Sequence, residues 1–530
     1  MPPTTAAARL RTAVKPIRGV RRSLQELTSL YNSGDRTILE NLVRAFRKIQ
    51  ELPFDHPDSF FVIAGYHGEP FVEEDPTNPG WWGGYCKHQT VLFPTWHRAY
   101  LYRLENALRN ALPEATDLAL PFWDECLSHG MSEPPIPWIL TARKLPFPVD
   151  GKTDNPLFSY TLQKDLVDNH NVKDPKRYSK PAGYQTVRYP LSGLVGNEKD
   201  KEETRIHNDK YLDENANIKI LNDNVKAWMD STVKIPDDDK DPPTRKPDTY
   251  SVYARFQTCL KAPNYTVFSN KDSMAQYIKD HKNEGYFGVS LEEPHNAIHL
   301  ALGGFYQKGE YNLDPIFYLH HAFIDYTFWE WQRRHGRTAA GSLEVVAGMN
   351  GTISLGDPAF KKGTALNMDS PIEPFKDPNG NFYTSKGVTD IEKLGYTYGP
   401  GSLDMENKPA LHAPHTEPIA NIINIRNINR SDYSGSFVIR THAHLLNGDR
   451  VEIGREAVLS RWNVAGCANC QDHLNENSFI TLDEKTKEKF QKDEKDDTGK
   501  KIKLSVEIQT RRFEGGLFSQ PQRRPIIEWL

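Results

Sequence analysis

The sequence is poor in cysteine, with only five in 530 residues. So few thiols, and an odd number of them, argue against the disulfide framework of small secreted proteins. The amino-terminal residues also lack the apolar core of a secretory signal. We therefore expect a reducing, cytoplasmic setting, with residues 1–17 as a basic tail, although the basic and acid-free residues 1–25 also fit an organelle transit peptide. The cysteines are Cys86, Cys126, Cys259, Cys467 and Cys470.

Long apolar runs and an excess of one charge are missing too. No stretch approaches the roughly 18 consecutive apolar residues of a membrane-spanning helix, so we expect no membrane partner. The formal net charge is only −4, with 66 basic and 70 acidic residues. Such a balance argues against a nucleic-acid partner.

Apolar residues at helical spacing dominate the first 340 residues. This periodicity predicts four helices: one over residues 36–51, one that begins at Trp96, one around residues 291–301 and one over residues 314–334. Residues 145–250 are rich in Asp, Lys, Pro and Asn and predict long loops with a few short helices. The first part of the chain is therefore expected to be a mainly helical domain.

The pattern changes near residue 400. Residues 401–420 are rich in Pro, His and polar side chains and are expected to form a linker. Beyond them, SFVIRTHAHLL, DRVEIG and KIKLSVEIQTRRF alternate apolar and polar residues, which is typical of strands. A chain of this length predicts two domains, or one large domain with an appendage. We place a helical domain at residues 18–400 and a smaller β-rich domain at residues 421–530.

Histidines stand beside or inside the apolar helices in two groups. The segment EEPHNAIHLALGG places His295 and His299 four residues apart, on one face of a helix. His320 and His321 lie in the apolar segment DPIFYLHHAFID, where buried imidazoles must be hydrogen-bonded or ligated. All-imidazole groups suit copper, zinc or iron, and two of them predict a paired site that bridges a small molecule such as dioxygen. The other group is His67, His88 and His97.

Three segments resemble the copper motifs of the tyrosinases, the coupled binuclear (type 3) copper oxidases of phenols. They are HQTVLFPTWHRAYLYRLE, EEPHNAIHLALGG and DPIFYLHHAFID, and the similarity extends through much of residues 18–400. GYTYG at residues 395–399 resembles the tyrosine motif that ends the family's catalytic domain. The resemblance implies a four-helix-bundle copper domain with long loops, two copper ions, and dioxygen as co-substrate.

Carried over residue by residue, the resemblance implies three imidazole ligands for each copper. His321 is preferred to His320 because it lies seven residues after Asp314, which is the family's spacing. Phe317 would pack over a ligand ring, and Asp325 would orient the helix or a ligand histidine. The implied ligands are His67, His88 and His97 for the first copper, and His295, His299 and His321 for the second.

Two further features of the site follow from the resemblance. Glu292 and Asn296 resemble the acid–amide pair thought to hold a basic water that deprotonates a monophenol, although Glu293 could serve in place of Glu292. Cys86 lies two residues before His88, a spacing that marks a thioether between the sulfur and the histidine ring in fungal-type tyrosinases. We therefore expect that thioether, and a fungal-like source.

The β-rich tail resembles the C-terminal domain of fungal pro-tyrosinases, which covers the active site. The resemblance implies a latent enzyme that is activated by cutting residues 401–420, and an apolar side chain that plugs the site. Cys467 and Cys470 form a C-x2-C pair that would pass copper inward, since soft thiolates favour Cu(I). The candidate plugs are Val458, Leu459 and Trp462.

The expected function is a copper enzyme that ortho-hydroxylates monophenols such as L-tyrosine and oxidises o-diphenols to o-quinones. Melanin-type pigment formation is the family's usual role. The expected partners are small phenols, with an activating protease and a homo-oligomer left open. A catechol or o-aminophenol oxidase, a hemocyanin-like dioxygen carrier and a non-catalytic zinc protein remain as alternatives.

Overall fold

The structure is a computed structural model of the chain. The basic tail, most of the predicted linker, Trp462, Cys467 and Cys470 lie outside the residues that it describes. Those residues are 19–68, 84–165, 182–186, 188, 214–230, 251–281, 288–303, 313–356, 359–404, 422–433, 435–445, 448–460, 464, 473–481, 503–510 and 517–530.

Helices dominate the described residues up to 404, as predicted. Their ends follow ordinary capping chemistry: the Ser23 hydroxyl accepts from the Glu26 N–H at the start of the first helix, and Gly34, with φ of 106°, ends it. The helices are α1 Leu24–Ser33, α2 Thr37–Glu51, α3 Phe60–Gly65, α4 Phe93–Ala111, α5 Trp138–Thr141, α6 Glu214–Met229, α7 Val252–Cys259, α8 Tyr265–Ser269, α9 Lys271–Asp280, α10 Glu292–Gly303, α11 Ile316–Arg334 and α12 Ile391–Leu394.

Four of these helices form the core that carries the histidines. Helix α4 packs against α2 and α11, and α11 packs against α10. Helix α11 is buried around nearly its whole circumference, which is the pattern of a central helix. Helix α4 begins three residues before Trp96, because Pro94 fits the first turn of a helix. Among the described residues, no helix is long and apolar enough to cross a membrane.

Strands form small pairs in the helical part and two sheets in the C-terminal part. In the C-terminal part, one sheet has the order β10–β7–β13 and the other the order β12–β11–β8–β9. The strands are β1 Gly19–Arg21, β2 Lys144–Val149, β3 Lys152–Asp154, β4 Pro371–Lys376, β5 Phe382–Thr384, β6 Tyr396–Tyr398, β7 Ile422–Asn429, β8 Phe437–His444, β9 Arg450–Val458, β10 Asn475–Thr481, β11 Lys503–Thr510, β12 Leu517–Ser519 and β13 Ile526–Trp529.

The predicted mainly helical domain followed by a β-rich domain is confirmed. One part of the prediction was wrong: residues 145–250 contain a helix of 16 residues, α6, and not only short ones. Its apolar face packs against α10, and α7 packs against α10 as well. The strand β9 also lies against α10, so that the β-rich part contacts the helix that carries two of the histidines.

Candidate copper site

The first three histidines converge at the start of α4. His97 stands in the first turns of α4, and its Nε2 lies 3.2 Å from the Nε2 of His67, which follows α3. The ring of His88 lies 5.6 Å from that of His97, centroid to centroid. Ligand atoms of the three histidines and of Cys86 all lie within 4.8 Å of one another. The chain therefore assembles one trio of imidazoles from three separate segments.

The second trio comes from two helices. Nε2 of His295 lies 2.9 Å from Nε2 of His299, one turn further along α10. Nε2 of His321, on α11, lies 3.1 Å from each of them. The two trios face each other, since the rings of His97 and His321 are 4.8 Å apart and those of His67 and His321 are 5.2 Å apart. Two ions held here would be close enough to share one small molecule.

Several of these rings are held by their other nitrogen. Nδ1 of His97 bonds the carbonyl of Phe93 at 2.8 Å, and Nδ1 of His88 bonds the carboxylate of Glu292 at 2.9 Å. Nδ1 of His295 lies 2.9 Å from the amide oxygen of Asn296. A hydrogen-bond acceptor beside Nδ1 keeps the proton on Nδ1. Nε2 then has a free lone pair that can bind a metal.

The electrostatics of the site keep the imidazoles neutral. Burial lowers the pKa of His97 to about 4. Burial, and then repulsion from neighbouring imidazoles, holds the pKa values of His295, His299 and His321 well below the ordinary value. Neutral imidazole is the form that binds a transition metal.

Glu292 lies at the start of α10 and is fully buried. Its carboxylate accepts from the main-chain N–H groups of Gln89, at 3.0 Å, and Lys271, at 3.3 Å, besides its bond to His88. Burial raises the pKa of Glu292 to about 7, although these donors oppose the shift. Glu293 turns away, because its carboxylate accepts from the N–H and hydroxyl of Ser290. Of the two glutamates, the structure places Glu292 beside the first trio.

Two further predicted residues, Phe317 and Asp325, lie on α11 near the second trio. The ring of Phe317 stacks on that of His299, with centroids 4.7 Å apart and an angle of 11°. Asp325 accepts from Arg98 at 2.6 Å and from Arg21 at 3.1 Å. The hydroxyls of the two motif tyrosines also donate to it, Tyr396 at 2.9 Å and Tyr398 at 2.6 Å. Asp325 thus ties α11 to α4 and to β6.

A buried acid–imidazole pair next to the site was not anticipated. Nδ1 of His320 lies 2.5 Å from the carboxylate of Glu125, and both side chains are fully buried. The rings of His320 and His295 stack with centroids 5.2 Å apart. The signal in the sequence was an acid inside the apolar segment LALPFWDECL, since a carboxylate there needs a buried partner.

Cys86 lies between the imidazoles of the first trio. Its Sγ is 3.4 Å from Nε2 of His67 and 3.7 Å from Nε2 of His97. The sulfur is therefore beside the expected metal position, which is consistent with a thioether. The link to His88 itself stays a prediction.

The donor set fits copper at both positions. Among the described residues, the first cluster is His67, His88 and His97 with Cys86, the second is His295, His299 and His321 with His320, and neither includes a carboxylate oxygen. Imidazole suits copper, zinc and iron alike. In the second trio the three nitrogens are 2.9 to 3.1 Å apart, and in the first those of His67 and His97 are 3.2 Å apart, with a ligand atom of His88 within 4.8 Å. Each trio can therefore reach one ion, since imidazole–metal bonds are about 2 Å long. A soft sulfur beside the first trio favours copper over the harder metals.

Comparisons with known proteins decide the family. A family model described as the common central domain of tyrosinase matches residues 57–334. A tyrosinase from Hahella sp. is 44% identical over 502 residues, covering 88% of this chain and 88% of that protein. A tyrosinase from Aspergillus oryzae is 37% identical over 522 residues, covering 90% and 92%. The chain belongs to the tyrosinase family.

A solved tyrosinase has the same two-part architecture. The structure of the Burkholderia thailandensis tyrosinase at low pH matches with a TM-score of 0.78 and 38% identity, covering 97% of this chain and 100% of that one. The binuclear copper site expected of a type 3 tyrosinase is thus confirmed by two facing histidine clusters and by the family match. The relatives include bacterial and fungal proteins, which does not establish the expected fungal source.

Proposed function

We propose that this tyrosinase is a latent phenol oxidase that ortho-hydroxylates monophenols and oxidises o-diphenols to o-quinones. The observation that carries the proposal is the pair of buried imidazole trios facing each other across about 5 Å. A monophenol and one dioxygen would give one o-quinone and one water, while two o-diphenols and one dioxygen would give two o-quinones and two waters. The substrate class is small phenols.

The protein's part is to hold the metal pair and exclude water around it. When bound, the two copper ions supply the two-electron chemistry that activates dioxygen. The chain fixes the rings of His88, His97 and His295 through their Nδ1 atoms. Buried aromatic rings, Phe93 against His97 and Phe317 against His299, pack around the ligands.

Glu292 and Asn296 have two roles to distinguish. Each accepts from one ligand histidine, which is a positioning role. We infer that Glu292 also takes the phenolic proton through a water held with Asn296, and a carboxyl whose pKa is raised to about 7 is basic enough to do so. A free phenol has a pKa of about 10 and needs such a base.

Oxygen uptake by the copper-loaded protein tests the activity. After light protease treatment, we expect uptake with both L-tyrosine and L-DOPA. Uptake with L-DOPA alone would make the protein a catechol oxidase and remove the proton-transfer role of Glu292. Uptake with neither, by a protein that holds two copper ions, would contradict the proposal.

Substitution of Glu292 separates proton transfer from positioning. Glu292→Gln keeps an oxygen for His88 but removes the base, so we expect a loss of on the order of 100-fold in kcat with L-tyrosine and a much smaller loss with L-DOPA. Copper content should stay unchanged. Glu293→Gln is the matched neighbour and should leave the ratio of the two activities as in the native protein. Equal losses on both substrates for Glu292→Gln would show that the residue only positions His88.

We also infer that the β-rich part keeps the enzyme latent. Strand β9 lies on α10, and Leu459, which directly follows β9, belongs to the apolar core of the helical part. Val458, in contrast, packs in the β-rich part's own core, so Leu459 is the better plug candidate of the two. Cutting within residues 401–420 would then activate the enzyme. Copper delivery by Cys467 and Cys470 remains a proposal, tested by copper uptake of Cys467→Ser.

A further inference from the structure

Outside the copper site, charged side chains are buried where the β-rich part meets the helical part. Lys271, at the start of α9, places its Nζ 2.6 Å from Oε1 of Glu456 on β9. The same Nζ lies 3.6 Å from Oε2 of Glu476 on β10. Arg255, on α7, places a guanidinium nitrogen 3.4 Å from Oε2 of Glu456. In these three contacts the helical part supplies the cations and the β-rich part the anions. Glu293 of α10 adds an anion that attracts Lys271 and repels Glu456, and Asp272 lies 3.1 Å from His473 of the β-rich part.

These side chains are almost entirely withdrawn from water. The side chains of Arg255 and Lys271 are 7% and 9% exposed, and those of Glu456 and Glu476 are 2% and 4% exposed. Glu476 is also bonded by Arg430, which directly follows β7 of the same part. Each carboxylate therefore has a cationic partner, which is the condition for burying charge.

The pKa values report how closely the charges are matched. Burial lowers the pKa of Lys271, but the attraction of Glu456 and Glu476 outweighs it and raises the pKa overall. Burial raises the pKa of Glu476, yet Arg430 and Lys271 bring it below the ordinary value. Both groups are thus held in their charged forms by partners from the other part or from their own part.

The cluster lies next to the copper site and not at the edge of the interface. The main-chain N–H of Lys271 donates to Glu292, whose carboxylate holds Nδ1 of His88. Arg255 also donates to the main-chain carbonyl of Arg455 on β9. Lys271 therefore contacts the β-rich part through its side chain and Glu292 through its main chain. Glu292 is the carboxylate that orients His88, a predicted copper ligand.

Apolar contacts add to this interface but do not fix the orientation in which the two parts dock. Ile422 of β7 packs with Val267, Met274 and Ile278 of the helical part. Apolar burial is non-directional, whereas a buried carboxylate is stable only when it meets its cation. The charged cluster can therefore select one docked arrangement from several that would bury similar apolar area.

We propose that four buried charged side chains form an ionic latch between the two parts. Arg255 and Lys271 of the helical part bind Glu456 and Glu476 of the β-rich part, and these ion pairs hold the β-rich part over α10. The latch keeps the copper site closed to phenols until the chain is cut. This inference rests on the proposed function, a phenol oxidase that is latent through its β-rich part. It assigns the docking specificity to four side chains that take no part in the chemistry.

Charge-removing variants of the full-length, copper-loaded protein test the latch. The variants are Glu456→Gln, Lys271→Met and the two combined, and the readout is L-DOPA oxidation before and after limited protease treatment. The matched control is Glu452→Gln, a glutamate on the same strand that pairs with Arg440 and Arg455 of the same sheet. Each variant is compared with itself, as the ratio of activity after the protease to activity before it.

We expect this activation ratio to fall by on the order of tenfold or more in each single variant, because one buried charge then loses its nearest partner. The combined variant should fall by less than the product of the two single effects, since the two residues share one interaction. Glu452→Gln should keep the native ratio. The protease should also cut the two single variants faster than the native protein.

The outcomes separate the latch from the function it rests on. A native protein that the protease activates, with ratios unchanged in Glu456→Gln and Lys271→Met, would overturn the latch alone. A native protein that oxidises no phenol even after the protease would overturn the proposed function. A native protein as active before as after would overturn latency, and the latch with it. If Glu456→Gln fails to fold, Lys271→Met decides.

Discussion

His320 and His321 are neighbours in the sequence with different surroundings. Successive residues of a helix point about 100° apart, so that Nε2 of His321 joins the second trio while Nδ1 of His320 turns to Glu125. The geometry therefore agrees with the ligand that the family's spacing selects. Sequence position alone could not have separated the two without that spacing.

The two histidines are predicted to differ in copper binding. His321→Ala removes a nitrogen from the second trio, so copper after dialysis should fall from about two ions per chain to about one. His320→Gln should keep about two ions, because His321 already completes the second trio and His320 is held by Glu125, although losing the bond to Glu125 should lower stability. Metal analysis of the dialysed proteins measures both. Loss of one ion from His320→Gln, with none lost from His321→Ala, would reverse the assignment.

Asp124 gives a residue-scale prediction about pH. Burial raises its pKa to about 6, although the main-chain N–H of Ser402 donates to it at 2.7 Å. A carboxyl with a raised folded-state pKa binds more protons folded than unfolded, so stability falls as pH rises through this range. Between pH 4.5 and 7.5 the native protein should lose about 2 kcal/mol relative to Asp124→Asn. Urea unfolding of both proteins at the two pH values measures this, and parallel pH profiles would contradict it.

At the scale of elements, one carboxylate holds several segments together. Asp325 on α11 accepts from Arg98 of α4, from Arg21 of β1 and from both tyrosines of β6. Strand β1 pairs with β6 in parallel, from Gly19 opposite Tyr396 to Arg21 opposite Tyr398. The two ends of the helical part are therefore joined over the helix that carries His321.

Removal of this carboxylate should be severe. Asp325→Asn leaves Arg98 without its counter-charge in a dry core, while Arg21 keeps its pair with Glu105, so we expect a loss of about 3 to 5 kcal/mol in the free energy of unfolding. The control is Glu26→Gln, which breaks a partly exposed pair with Arg22 and should cost below about 1 kcal/mol. Urea unfolding followed by tryptophan fluorescence compares them. Similar small losses in both would show that Asp325 is not the organising group.

The elements that the sequence predicted are those whose signal is local. The helices over Thr37–Glu51 and Ile316–Arg334 have apolar residues at regular spacing, and β8, β9 and β11 alternate. What could not be predicted is pairing over long distances: Lys271 and Glu456 are 185 positions apart, and His88 and Glu292 are 204 apart. No local pattern encodes such contacts. The six histidines were predictable because a family motif fixes their spacing.

At the scale of the whole molecule, the interface joins apolar and charged contacts around α10. Leu459 contributes to the helical core, while its neighbour Val458 contributes to the β-rich core and pairs with Phe437. Ala457 also belongs to the helical core, so the side chains of this segment alternate between the helical part and the β-rich part's own core, as in a strand with both faces covered. Substitutions of Val458 and Leu459 should have separable consequences.

The last prediction uses this adjacent pair. Leu459→Ala removes apolar contact from the interface at a cost of about 2 kcal/mol, which is roughly thirtyfold in the docking equilibrium, and should raise L-DOPA oxidation by the uncut protein. Val458→Ala removes two carbons from the β-rich core, one fewer than Leu459→Ala removes from the interface, so it should lower the unfolding temperature of the β-rich part and raise uncut activity less. Activity before protease treatment, together with calorimetry, measures the two effects. If Val458→Ala activated the uncut enzyme as strongly as Leu459→Ala, general loosening of the β-rich part would explain activation, and Leu459 would have no special role at the copper site.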